Sequence, residues 1–332
     1  MRCSTPTLLV LLGLFTLGCG NRDEPGPPTQ TTIAVIPKGT THEFWKSIHA
    51  GAVKASLELD VEIIWKGPLK EDDREAQISV MENFISRGVS GIVLAPLDDV
   101  ALRAPVADAT RRGIPVVIID SDLKSEDHVS FVATDNYRGG RLGARKLVEL
   151  LDGDGRVIML RCLEGSASTT NREQGFLDEV AEAKGIVVVS SNQYGGPTTE
   201  TAYRASENLL APLKGPDGTL TIDGIFCVNE STTFGMLRAL QDGGLAGRVR
   251  FVGFDSSSKL VEALRKGELD GLVLQNPFEM GYRGVLTIVA HLRGEQVEKR
   301  IDTGVTVATT ENMEDPQIVE RLTPDLSTWL EE

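Results

Sequence analysis

Residues 31–47 read TTIAVIPKGTTHEFWKS. A short β-rich run ends at Pro37, and a polar turn leads into a segment that opens with an acid and two adjacent aromatics, Phe44 and Trp45. The same alternation recurs down the chain. Strands are expected at IAVIP, VEIIWKG, GIVLAP, IPVVIID and VSFVATD in the first half, and at RVIML, IVVVSS, GIFCVN, VRFVGFD and GLVLQ in the second. Amphipathic stretches separate them. Over 71–88, for instance, Ala76, Val80, Met81, Phe84 and Ile85 fall on one helical face, and Gly88 ends the run. Near-continuous Val/Ile runs joined by helical crossovers predict parallel sheets covered on both faces. Two such series of similar size predict an α/β protein of two doubly wound parallel-sheet domains. Ligands of open α/β sheets bind outside the carboxyl ends of the strands, so the expected pocket is the cleft between the domains.

The totals agree with two domains, since 332 residues exceed what one compact core ordinarily serves. A formal net charge of −14 argues against a polyanionic partner, and nucleic acid is excluded on that ground. Residues 1–19 read as an export leader. Arg2 is followed by the apolar run LLVLLGLFTLG (8–18), too short to span a bilayer, and then by Cys19. Thr16-Leu17-Gly18-Cys19 resembles a bacterial lipoprotein processing site, with Thr16 where that family usually carries Leu. The resemblance implies a lipid anchor on Cys19 and a periplasmic or cell-surface protein held at a membrane. Residues 20–30, GNRDEPGPPTQ, form a polar, proline-rich tether. Cys162 and Cys227 sit in apolar runs and read as buried thiols, with a bridge as the alternative.

No catalytic constellation is present. G-x-S-x-G, the P-loop, H-E-x-x-H and C-x-x-C are all missing. DGDGRV (152–157) lacks the third glycine of a dinucleotide fingerprint and precedes a strand, so it reads as a turn. Four scattered histidines make a histidine metal site improbable, and no cofactor is expected.

Polar residues stand instead at the strand ends: Asp120 after IPVVII, Asn229 after GIFCV, Asp255 after VRFVGF and Gln275 after GLVL, with Arg172 in the first turn of the helix after RVIML. Each alone reads as a cap or turn residue. Together with Phe44 and Trp45 they suit a neutral polyol, whose hydroxyls both donate and accept while the ring's apolar face lies on an aromatic.

NESTTFGMLRALQ (229–241), VRFVGFD (249–255) and GELDGLVLQNPFEMG (267–281) resemble periplasmic sugar-binding proteins of the ribose-binding type, and the resemblance extends over roughly residues 31–310. It implies that Lys38, His42, Phe44, Trp45, Asp120, Arg172, Asn229, Asp255 and Gln275 bind the ligand. It further implies three chain crossings, near Ala133–Asp135, Gln275–Pro277 and Thr303–Val305. These divide the body into a first lobe, 31–134 plus 276–304, and a second, 135–275 plus 305–332. Ribose binders carry Arg where this chain has Ser121, a small hydroxyl residue at Lys38 and Asn at His42. A third aromatic has no counterpart beyond Tyr194. A different pentose, a hexose or a modified sugar therefore fits as well, and Lys38 suits an acidic sugar or reads as a solvated lysine. The implied function is capture of a monosaccharide by hinge closure and delivery to a membrane ABC permease, by a monomer that is not an enzyme. The alternative is a receptor subunit that signals to a kinase or chemoreceptor. A sugar-responsive transcription factor shares the double fold but would begin with a helix-turn-helix.

Overall fold

The computed structural model describes Met1 and residues 30–330. Residues 2–18 of the leader, Cys19 and residues 20–29 of the tether lie outside the described residues. In chain order the elements are β1 (Thr32–Ile36), α1 (Glu43–Leu59), β2 (Glu62–Trp65), α2 (Arg74–Arg87), β3 (Gly91–Leu94), α3 (Arg103–Arg111), β4 (Val116–Ile119) and β5 (Ser130–Ala133). Then come α4 (Asn136–Leu150), β6 (Asp154–Arg161), α5 (Ala167–Glu182), β7 (Gly185–Tyr194), α6 (Thr199–Leu210), β8 (Gly224–Cys227), α7 (Glu230–Asp242) and β9 (Arg250–Phe254). The chain ends with α8 (Ser258–Lys266), β10 (Gly271–Leu274), α9 (Pro277–Leu292), β11 (Arg300–Asp302), β12 (Thr306–Ala308) and α10 (Pro316–Leu322).

The strands form two six-stranded sheets, ordered β11-β5-β4-β3-β1-β2 and β12-β10-β9-β8-β6-β7. All ten strands expected from the sequence are present, and the two sheets repeat one another strand for strand. The first sheet is wholly parallel. The second departs from the expected all-parallel arrangement, because β12 runs antiparallel to β10 with Leu272 opposite Ala308. The reason lies in the connection. Only three residues join β11 to β12, too few for the crossover that a parallel strand needs. The chain leaves the first sheet at its carboxyl edge and enters the second from the same edge, so it must run backwards along β10.

Successive strand residues face opposite layers. In the first sheet Ile33, Val35, Val93 and Val117 pack under α1 and α9, whereas Ala34, Ile36, Ile92 and Val116 pack under α2 and α3. In the second sheet Val157, Met159 and Phe226 face α4 and α5, whereas Ile158, Leu160 and Ile225 face α6, α7 and α8. Both free thiols are buried, and burial raises the pKa of each. Position 77 differs from the periodic reading of α2. Gln77 is fully buried on the inner face. Its Nε2 donates to Pro37 O (3.0 Å) and Ala95 O (2.8 Å), and its Oε1 accepts from Leu97 N (2.8 Å), so it ties two strand-end turns together. Ala76 and Val80 are only half-buried.

After β5 the chain passes to the second sheet, where α4 packs on α5. After β10 it returns, and α9 packs on α1. Both helix pairs touch through glycine. A Cβ on Gly140 would sit 2.0 Å from Arg172 O, and one on Gly175 2.1 Å from Tyr137 O. The equivalent distances are 1.9 Å from Gly51 to Phe278 O and 2.0 Å from Gly281 to Ile48 O. Any side chain at these positions must push two backbones apart. Gly140→Val is therefore expected to destabilise the protein by about 3 kcal/mol or more in urea denaturation. An unchanged midpoint would show that the α4–α5 crossing is loose.

Candidate functional site

The carboxyl ends of both sheets face one cleft, and all nine residues singled out from the sequence line a single cavity in it. The cavity holds about 330 Å³ of unfilled space. Lys38 reaches across it, from the end of β1 to the start of α5.

Lys38 follows β1 and is 4% exposed, so it is not a solvated lysine. Its Nζ lies 2.9 Å from Asp120 Oδ2 and donates to Ser168 Oγ (3.0 Å) and Ser166 Oγ (3.4 Å) at the start of α5. Asp120 ends β4 with a left-handed backbone, φ 61°, and its N–H still bonds Val132 O (3.1 Å). Asp255 ends β9, the equivalent strand, with φ 69° and a bond from its N–H to Val273 O (2.8 Å). Asp tolerates this region better than most residues, and the turn aims both carboxylates into the cleft.

Asp255 is 6% exposed. Its Oδ1 accepts from Gln275 Nε2 (2.7 Å) and its Oδ2 from Glu230 N (3.1 Å), with Arg172 Nη1 at 3.7 Å. Burial raises its pKa, opposed by the Arg172 charge and the Gln275 hydrogen bond. Arg172 lies in the second turn of α5, not the first, because the helix begins at Ala167. Its guanidinium is centred 4.0 Å from the Phe254 ring, Nε donates to Asn136 Oδ1 (2.8 Å) and Nη1 to Val228 O (2.9 Å). Asn229 does cap a helix: its Oδ1 accepts from Thr232 N (3.3 Å) in a capping box on α7. Gln275 Oε1 is buried and has no partner.

On the opposite wall, Phe44 and Trp45 belong to the first turn of α1 rather than to the preceding loop. Their rings meet edge to face, 4.9 Å apart at 88°, and both also pack into the first lobe's core. Glu71, in the turn before α2, binds two of its neighbours, Trp45 Nε1 and His42 Nδ1, each at 2.7 Å from Oε1. Burial alone would depress the His42 pKa, but the Glu71 hydrogen bond and the nearby carboxylates outweigh it and raise the value to about 9. Burial likewise opposes ionisation of Glu71, yet the His42 pair holds its pKa below the usual carboxylate range. Glu230 is pushed up to about 7 by burial, against the pull of His42. Its Oε2 accepts from Phe44 N (3.2 Å), joining α7 of one lobe to α1 of the other.

Further bonds cross the cleft. Glu43 accepts from Ser258 N (3.1 Å) and Oγ (3.0 Å), Ser121 Oγ from Ser168 N (3.1 Å), and Gly165 O from Asp99 N (2.9 Å). The lobes are thus closed on one another. Sequence reasoning missed Glu71, Glu230, Asn136 and the Ser166–Ser168 pair. The acidic run around Glu71 reads as solvated surface, and Glu230 reads as a first-turn helix acid. Tyr194 does not line the cavity; its ring lies 4.8 Å from the Arg161 guanidinium.

Known proteins share this arrangement of chain. The chain is 28% identical to the ribose import binding protein of Haemophilus influenzae, over 91% of this chain and 97% of that one. It is 28% identical to the D-allose-binding periplasmic protein of Escherichia coli, over 77% and 83% respectively. Among solved structures, a carbohydrate transporter solute-binding protein from Agrobacterium radiobacter in complex with D-arabinose superposes with a TM-score of 0.84 at 33% identity, covering 90% of this chain and all of that one. An ABC transporter solute-binding protein from Agrobacterium vitis with bound D-fucose does so at 0.82 and 35%, covering 88% and 99%. Residues 33–296 match the periplasmic binding protein domain, and the chain belongs to that family.

Proposed function

We propose that the protein captures a neutral monosaccharide in the cleft and delivers it, lobes closed, to a membrane ABC importer. The observation that carries this reading is the ring of paired polar groups, drawn from both sheets, around a cavity walled on one side by Phe44 and Trp45. Relatives of the same fold are named for ribose and allose, and structures of similar proteins hold D-arabinose and D-fucose.

Neutrality follows from the charges. Lys38 faces Asp120, His42 faces Glu71, and Arg172 faces Asp255, so no cation is left over for an acidic sugar. Gln275 Oε1, buried without a donor, suits a sugar hydroxyl. Lys38, which donates to Ser166 and Ser168 within the cavity, can exchange those partners for sugar oxygens. The body opens and closes about the passages at Ala133–Asp135, Gln275–Pro277 and Thr303–Val305, between lobes 31–134 plus 276–304 and 135–275 plus 305–332. Ligand favours the closed form because only there do both lobes contact it. The apolar run 8–18 and Cys19 support a periplasmic lipoprotein held at a membrane, within reach of the importer.

A thermal-shift panel of pentoses, hexoses, polyols and sugar acids tests the reading, since a ligand of the folded state raises the melting temperature. Neutral sugars are expected to raise it and sugar acids to leave it unmoved; stabilisation by acids alone would refute the assignment. In calorimetry with the best sugar, Asp255→Ala should lose at least about a hundredfold in affinity, on the order of 3 kcal/mol, with the circular dichroism spectrum intact. Unchanged affinity would remove Asp255 from the site. The His42–Glu71 pair sets a pH window. The His42 value in the fold, about 9, lies above its ordinary 6.5, so its contribution to stability is complete below pH 6.5 and is lost as pH rises through 9. The melting temperature should therefore fall between pH 6.5 and 9 in the wild type and fall less in His42→Gln. Parallel declines would show that the pair contributes nothing.

A further inference from the structure

Helices α1 and α5 are equivalent: they follow β1 and β6, which hold the same place in their two sheets, and both begin at the cleft. The first turn of a helix leaves backbone N–H groups without partners, and an N-cap side chain normally takes one of them. Among the described residues, Asp73, Asp135, Thr198, Asn229, Ser257 and Asn276 do so for six of the helices. The N-cap side chains of α1 and α5 do not. His42 is turned to Glu71, and Ser166 accepts from Lys38 (3.4 Å). Both belong to the lining of the sugar cavity.

The missing caps come from across the cleft. Glu230, which follows β8 of the second sheet, accepts through Oε2 from Phe44 N (3.2 Å), at the second residue of α1. Ser121, which follows β4 of the first sheet, accepts through Oγ from Ser168 N (3.1 Å), at the second residue of α5. Equivalent helices are thus capped at the same position, each by the opposite sheet. Glu43 adds a third contact of this kind, accepting from Ser258 N (3.1 Å) at the start of α8. Glu230 also brings a carboxylate to the positive end of α1, where negative charge is favourable. Its own N–H donates to Asp255 Oδ2 (3.1 Å), so one residue joins the aromatic wall to a carboxylate of the facing wall.

Opening the cleft separates these partners and returns the N–H groups to water. Resting on the hinge-closure reading above, we propose that Glu230 and Ser121 are positioning residues: by capping α1 and α5 across the cleft they set the balance between open and closed forms, and with it the strength of sugar binding. The exchange leaves His42 and Ser166 available to the ligand. Ser121 lies outside the cavity lining, so it acts on the sugar only through closure.

Small-angle X-ray scattering of the sugar-free protein reads that balance in the wild type, Ser121→Ala, Glu230→Leu and the double variant. Glu230→Gln, which keeps an acceptor oxygen, is the conservative control. The closed fraction should fall in each single variant, fall further in the double variant, and stay near the wild-type value in Glu230→Gln. Calorimetry and stopped-flow fluorescence with D-ribose, D-arabinose, D-allose and D-fucose supply the second readout. Ser121→Ala and Glu230→Leu should each weaken the sugars that bind by roughly three- to tenfold. The loss should appear as faster release, with the association rate kept within about twofold. Identical scattering from the wild type and all variants overturns the proposal, as does unchanged sugar affinity in Ser121→Ala. The scattering uses no sugar, so it decides the role of the caps even if the sugar-binding reading fails.

Discussion

Two aspartates in left-handed backbone, Asp120 and Asp255, set the geometry on which the cleft depends. A non-glycine residue there is disfavoured, and the neighbouring strand compensates by accepting the N–H of each. What the turn achieves is position. An ordinary strand continuation would send the carboxylate to one face of the sheet, under a helix, where it would be an unpaired buried charge. Turned left-handed at the strand end, each carboxylate meets partners from other elements: Lys38 for Asp120, and Gln275, Glu230 and Arg172 for Asp255. The charged groups of the cleft can be buried because they are paired in this way, and losing one member would strand the rest.

The same device appears once in each lobe, which reflects a deeper equivalence. Strand order, the glycine-mediated helix crossing and the capped helix after the fifth strand all recur. The two copies differ where the cleft needs them to differ. The first lobe contributes Lys38 and the aromatic pair, and the second contributes Arg172 and the Asn229 cap. A pocket built from two like halves would offer the same chemistry from both sides. This one presents a cation over two serines near one end and an arginine over a phenylalanine ring near the other.

Much of this was legible in the residues. Parallel strands buried on both faces write themselves as Val/Ile runs, so all ten principal strands were readable. The three-residue β11 and β12 were not, since their identity comes from the sheets they join and not from their own pattern. The residues around the cavity stood out because polar groups at strand ends are few. Glu71 and Glu230 did not. The first sits in a run of acids that looks like solvated surface, and its burial arises only when Trp45 and His42 close over it. The burial of Lys38 was equally hidden, because the serines that receive it are 128 and 130 residues away. Gln77 broke the helical period for a related reason: an amide at an apolar position pairs with turns that only the folded sheet brings near.

The exchange of helices between the lobes also governs how the molecule is made. The face of the first sheet formed by Ile33, Val35, Val93 and Val117 is covered in part by Met280, Val285 and Ile288 of α9. During synthesis α1 can cover part of that apolar face early, and the rest stays open until a helix from far downstream leaves the ribosome. The second sheet waits for β12, which follows almost at once. Neither half is a finished object before the other, and a nascent chain stopped midway would carry an open hydrophobic surface. The two lobes are completed together, by the closely spaced segments α9, β11 and β12.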